Sequence, residues 1–141
     1  MNTNQITVNT NDDAGKLVLR VVLSALLLFH GVSKLVGGVG FITGMLAQAG
    51  LPAALGYLVY IGEVVAPLFI LLGVYTRLAG AVVVINMIVA ILLVHTTQFF
   101  TLNQTGGWAL ELQAMYLAAG AVLALIGAGR FSLGGIAGRF N

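Results

Sequence analysis

The sequence has 141 residues, 60% of them hydrophobic and 7% charged, with a mean hydropathy of +1.06. An average soluble domain carries about 25% charged residues, so the chain reads as a one-domain integral membrane protein. Six Lys/Arg against four Asp/Glu is a small basic excess without a phosphate-gripping cluster, so no nucleic-acid partner is expected; the absence of Cys excludes a protein disulfide, a thiol-exchange pair, a Cys-held iron–sulfur cluster and c-type haem attachment within this chain.

Residues 1–15, "MNTNQITVNTNDDAG", are polar and rich in Asn and Thr. They lack the basic stretch and short apolar run of a cleaved signal peptide and are expected to form a disordered tail. The main domain is expected over 16–135, with 136–141 a short C-terminal tail. The first apolar run, Leu17 to Val36, is expected to be retained as a helix. Gly37 to Pro52, "GGVGFITGMLAQAGLP", is too short and glycine-rich to span. Phe41, Ile42, Met45 and Leu46 fall at helical spacing there, which predicts a short interfacial or re-entrant helix closed by Gly50 and Pro52. Ala53 to Gly73 is the second run, joined by "VYTR" to the third, Leu78 to Thr97. A polar loop, "QFFTLNQTGG", leads to the fourth, Trp108 to Ala128.

Each run has about 20 residues, the length that crosses ~30 Å of hydrocarbon as a helix. Only helices and closed barrels satisfy their backbone in lipid, and these runs lack strand alternation. The expected fold class is therefore all-α: an integral membrane four-helix bundle with the short helix between its first two spans. Gly40-x-x-x-Gly44 and Ala114-x-x-x-Ala118 are small-residue patterns that suit close helix approach or a homo-oligomer. Lys16, Arg20, Arg77, Arg130 and Arg139 fall on one side of this topology, and the loops at 37–52 and 98–107 contain no Lys or Arg. The positive-inside rule then puts both termini in the cytoplasm of a bacterial inner membrane, with Arg20 snorkelling to the inner interface. Trp108, Phe99 and Phe100 suit the outer aromatic belt.

On this topology the intramembrane polar residues converge. His30 lies roughly 9 Å below the outer end of the first span, and Lys34 shares its helix face at i, i+4. Glu63 is roughly 15 Å deep in the second span, with Pro67 freeing its carbonyl and able to bend the helix. His95 ends the third span, and Glu111 and Gln113 begin the fourth. All lie in the outer half. An intramembrane charge costs about 2.5–3.5 kcal/mol at a helix centre, and pairing is its cheapest remedy. Two carboxylates opposite Lys34 leave surplus negative charge for a proton, a charged His or a bound cation. The bland reading makes the Lys34–carboxylate set a structural ion pair, with His95 and Glu111 in the headgroup region. Asn86, about half a turn around the third helix from His95, is expected to serve another contact.

"LLLFHGVSKL", "GLP", "GEVVAPLFILLGVYTRLAG", "LLVH" and "GAGRFSLGG", in that order and spacing, resemble the DoxX family from Lys16 to about Gly135. The C-terminal motif departs in placing Gly134 where the family often has Asp. The resemblance implies a small four-helix membrane protein, and some members resemble the membrane subunit of a thiosulfate:quinone oxidoreductase. It places His30, Lys34, Glu63, Arg77 and His95 in the family's polar motif positions.

The leading expectation is a redox-associated subunit that binds a quinone or a small oxyanion at His30, Lys34, Glu63, His95, Glu111 and Gln113. The His and Lys donors would meet the headgroup, and the carboxyls would relay protons. A chain without thiols needs the bound quinone or a redox partner subunit to carry electrons. Other readings are a small-solute or proton transport module and a membrane scaffold. Haem b on His30 and His95 is disfavoured, because their depths differ by roughly 5 Å and Lys34 shares the His30 face. No metal site is expected.

Overall fold

The computed structural model describes residues 10–138, 140 and 141, so residues 1–9 of the expected tail and the orienting charge Arg139 lie outside the described residues. Within them are five α-helices and no strands: α1 (Thr10–Gly37), α2 (Gly40–Gln48), α3 (Ala66–Leu72), α4 (Thr76–Val94) and α5 (Glu111–Ile126). A 3₁₀ turn over Ala53–Leu58 and a π turn over Ile61–Val65 lead into α3, and a second 3₁₀ turn covers Thr96–Gln98. Three stretches are long and apolar enough to cross a membrane: Thr10–Gly37, Ala53–Leu72 and Thr76–Val94. α5 is apolar but has 16 residues, roughly 24 Å of helix.

α1 begins at Thr10, so residues 10–15 are helical and not part of a tail. Asp12 and Asp13 occupy its first turn, where the helix dipole favours negative charge. Asp13 is buried and accepts the Arg130 backbone N–H at 3.1 Å. That contact anchors the helix start and gives an acidic residue a place in the fold.

α1 packs on α3, α3 on α4, α4 on α5, and α5 back on α1. Their shared core contains Leu23, Leu27, Ile70, Val83, Met87 and Leu123. Glycines set the closest approaches. A Cβ on Gly80 would lie 2.6 Å from the Gly120 carbonyl oxygen and 2.8 Å from the Ala124 nitrogen, so α4 and α5 meet backbone to backbone. The two small-residue patterns singled out in the sequence take no such part within the chain. A Cβ on Gly40 or Gly44 would meet nothing within 4 Å, and Ala118 is exposed. Large apolar side chains such as Val18, Leu26, Phe29, Val32, Leu78, Ile85, Leu92, Met115 and Leu125 cover the outer surface, as lipid contact requires.

One end of this assembly is tied by Arg20, which does not snorkel. Its side chain is 1% exposed and points inward to four carbonyls. Nε donates to Ile70 at 2.8 Å and Nη2 to Leu71 at 2.8 Å, two carbonyls of the last turn of α3. Nη1 donates to Ala128 at 3.1 Å and to Phe131 at 2.7 Å. A cation at a helix C-terminus also meets the negative end of the dipole. Gly73 ends α3 at φ +70°, and any side chain there would collide with the Arg20 guanidinium and Ser132. The end of the short C-terminal tail packs on this end: Asn141 accepts from the Thr76 hydroxyl at 2.9 Å and donates to the Gly135 carbonyl at 2.7 Å. Arg77 donates to Leu125 O at 2.6 Å, so the family-motif residue Arg77 serves this end of the fold.

Candidate functional site

At the other end, α1, α2, the 53–65 segment, α4 and α5 enclose a cavity of about 750 Å³. That volume lies in the ~300–1,000 Å³ range of small-molecule sites. Its walls are mostly Leu, Ile and Val, with seven polar-bearing side chains among them: His30, Lys34, Glu63, Asn86, His95, Gln113 and Tyr116.

Glu63 is positioned by a local irregularity of its helix. The Ala66 N–H bonds to the carbonyl of Ile61, one residue further back than in an α-helix, which makes the π turn. Pro67 has no N–H to offer the Glu63 carbonyl. Gly31 of α1 lies directly against that freed carbonyl; a Cβ there would also fall 2.7 Å from Val64 Cγ2. α1 therefore comes close enough for Lys34, one turn beyond Gly31, to ion-pair with Glu63 through Nζ and Oε2. The Glu63 side chain is 8% exposed and the Lys34 side chain 26%. Tyr60 Oη donates to the Lys34 carbonyl at 3.0 Å and holds the last turn of α1 to the π turn.

His30 lies one turn before Lys34 and meets Tyr116 of α5 edge to face, with centroids 5.9 Å apart. His95 lines the cavity from the end of α4. Its Nδ1 is 3.0 Å from Gln98 Oε1 and its Nε2 is 3.2 Å from Gln113 Nε2. Among the described residues, Gln113 Oε1 is buried without a partner, as is Asn86 Nδ2. An unpaired buried polar group costs about 1–3 kcal/mol, so two in one cavity mark places where an added partner would be stabilising.

The cavity thus gathers His30, Lys34, Glu63, His95 and Gln113 from the expected set and leaves out Glu111. Glu111 is exposed in the first turn of α5 and accepts from Asn103 Nδ2 at 3.2 Å, which stiffens the 101–110 loop. A surplus negative charge at the Lys34 pair is therefore not present; one carboxylate faces one ammonium. Asn86, expected to serve another contact, lines the same cavity as His95. The rule of 100° per residue separates the two only along continuous helix. His95 lies past the helix end, at φ −115° and ψ 14°, so its direction is not set by α4. The signal for Asn86 was its own spacing: with Val82, Ala90 and Leu93 it forms one stripe on α4, and all four line the cavity.

The sequence profile of the DoxX family matches residues 15–96, more than half of the chain. The curated relative "Putative oxidoreductase CatD" of Bacillus subtilis (strain 168) is 29% identical over 111 residues, covering 79% of this chain and 82% of the relative. No solved structure matches. The chain belongs to the DoxX family of membrane proteins.

Proposed function

We propose that this DoxX-family chain is a redox-associated membrane subunit that binds a quinone or a small oxyanion in the cavity beside the Lys34–Glu63 pair. The observation that carries this reading is a part-buried ion pair beside two amides, each with one buried unpartnered atom among the described residues, in the lining of one apolar cavity. A quinone headgroup needs donors at its oxygens and a nearby proton acceptor. Lys34, Asn86 and His30 offer N–H donors, and Glu63 can take up a proton once Lys34 is drawn to the ligand. An oxyanion would use Lys34 alone as counter-charge. The name of the Bacillus relative supports the oxidoreductase association. Since the chain has no Cys, electrons would pass between the bound quinone and a partner subunit. Haem b is disfavoured, because Gln98 and Gln113 occupy both ring nitrogens of His95.

The accompanying topology is a four-helix bundle with α5 as the fourth span and α2 along the outer interface. Lys16, Arg77 and Arg130 stand at the Arg20 end, which the positive-inside rule places in the cytoplasm of a bacterial inner membrane together with both termini. The scaffold reading keeps one point in its favour: the Lys34–Glu63 pair is complete without a ligand. The absorbance spectrum of the purified protein, with quinone assayed in its lipid extract, separates these readings. Co-purified quinone is expected; a Soret band would replace it with haem, and neither would leave the scaffold.

A further inference from the structure

The π turn carries a second adaptation beside Glu63. A Cβ on Gly62 would lie 2.5 Å from Asn86 Cβ and 2.6 Å from its Oδ1. Only glycine leaves a notch in which the Asn86 side chain can lie across the π turn. Asn86 is mid-way along α4, roughly 12 Å from its C-terminal end, where hydrocarbon surrounds the protein and water is scarce. Its Nδ2 is buried and unpartnered among the described residues. If Asn86 served packing alone, an apolar side chain of the same size would fill the notch without an orphaned donor.

The cavity also has a side. The 3₁₀ turn over Ala53–Leu58 packs on α2 and on the π turn but not on α4. Leu55, Leu58 and Ile61 on one edge, and Ile85 and Val89 on the other, line the cavity and are exposed at the outer apolar surface. Asn86 directly follows Ile85, lies against Gly62 and lines the same cavity as Glu63. A hydrated anion would have to cross this apolar gap, whereas a lipid-soluble molecule would not be desolvated by it.

We infer that Asn86 is the orienting residue for a lipid-soluble carbonyl ligand, which enters sideways from the bilayer between the 53–58 turn and α4. The ligand's carbonyl oxygen accepts from Asn86 Nδ2, and its apolar tail remains between Leu58 and Ile85. This rests on the cavity's being a ligand site and selects, of the two ligand classes proposed above, the one with a tail.

The test is binding of a decyl-tailed benzoquinone to the full chain in nanodiscs, beside tail-less tetramethylbenzoquinone and sulfate. The wild type should bind the tailed quinone more tightly than the tail-less one and should not bind sulfate. Asn86→Leu should weaken binding of the tailed quinone about tenfold, the effect of one hydrogen bond. Its melting temperature should stay level or rise, because an unpaired donor has been removed. Ile85→Trp, which narrows the gap, should slow association. Unchanged affinity in Asn86→Leu overturns Asn86 as the orienting residue, and equal affinity for the tailed and tail-less quinones overturns side entry. Neither result touches the cavity as a ligand site. No quinone binding by the wild type overturns this inference, and sulfate binding alone leaves the site to oxyanions.

Discussion

Arg20 and Lys34 show two ways of keeping a cation inside an apolar protein. Arg20 has no carboxylate partner among the described residues; its planar fork donates to four carbonyls drawn from α3 and the segment after α5. Lysine is a point charge and cannot bridge that spread. Arg20→Met should destabilise the fold by several kcal/mol, on the order of 1.5–3 for each charged hydrogen bond lost. Arg20→Lys should recover only part, as read from melting temperature in detergent. Lys34 instead depends on Glu63. Lys34→Met leaves a buried carboxylate without its counter-charge and should cost on the order of 3 kcal/mol. The double change Lys34→Met with Glu63→Gln should regain most of that loss, because the orphaned charge is gone. Ligand binding should stay lost if the pair handles the headgroup. Additive losses in the cycle would mean that the two side chains are not coupled. His30 and Lys34 were legible as one helix face from their i, i+4 spacing, and Glu63 from its depth and the Pro67 that follows it, although the π turn that aims it was not. The fate of Arg20 was not, since its partners are carbonyls distant in sequence, and a carbonyl leaves no mark in an amino-acid string.

At the scale of the element, the long helices were readable from apolar run length alone, and the departures occur where hydrogen-bonding pattern overrides it. The second span expected over Ala53–Gly73 is built from 3₁₀, π and α turns in succession, because Pro67 and the glycines at 56 and 62 allow other backbone ladders. α5 starts later than the expected fourth span. Residues 101–110 are held instead in a hairpin-like loop, where Asn103 Oδ1 accepts from Thr105 N at 3.0 Å and Gly107 N at 2.9 Å. Which glycines matter is also a property of contact and not of spacing. Gly80→Ala should lower the melting temperature markedly, since its Cβ would press into the α5 backbone. Gly44→Ala, in the middle of α2 with nothing near, should be neutral or stabilise by about 0.5–1 kcal/mol through backbone entropy. Equal effects of the two would contradict the α4–α5 approach described above.

At the scale of the molecule, the Asp13–Arg130 contact and the return of Asn141 onto Thr76 put residues 13 and 141 at one end. Topology reporters inserted at Gly15 and fused after Asn141 should therefore give the same signal, and the positive-inside rule predicts a cytoplasmic one. Opposite signals would contradict the packing itself. A periplasmic signal from both would leave the packing intact and invert its orientation.

Between the cavity and the Arg20 end lies a layer of Leu23, Ile70, Val83 and Leu123, each no more than 3% exposed. Below it, the Arg20 guanidinium donates four hydrogen bonds to carbonyls and has no carboxylate within ion-pair distance among the described residues. On the proposed topology, the polar groups of the cavity would equilibrate with only one of the two aqueous phases. Any proton that Glu63 takes up or gives back is drawn from, and returned to, the same compartment. Liposomes carrying the protein should hold an imposed pH gradient as long as empty ones do. On the proposed redox function, turnover at the cavity would acidify or alkalinise one bath without charging the membrane.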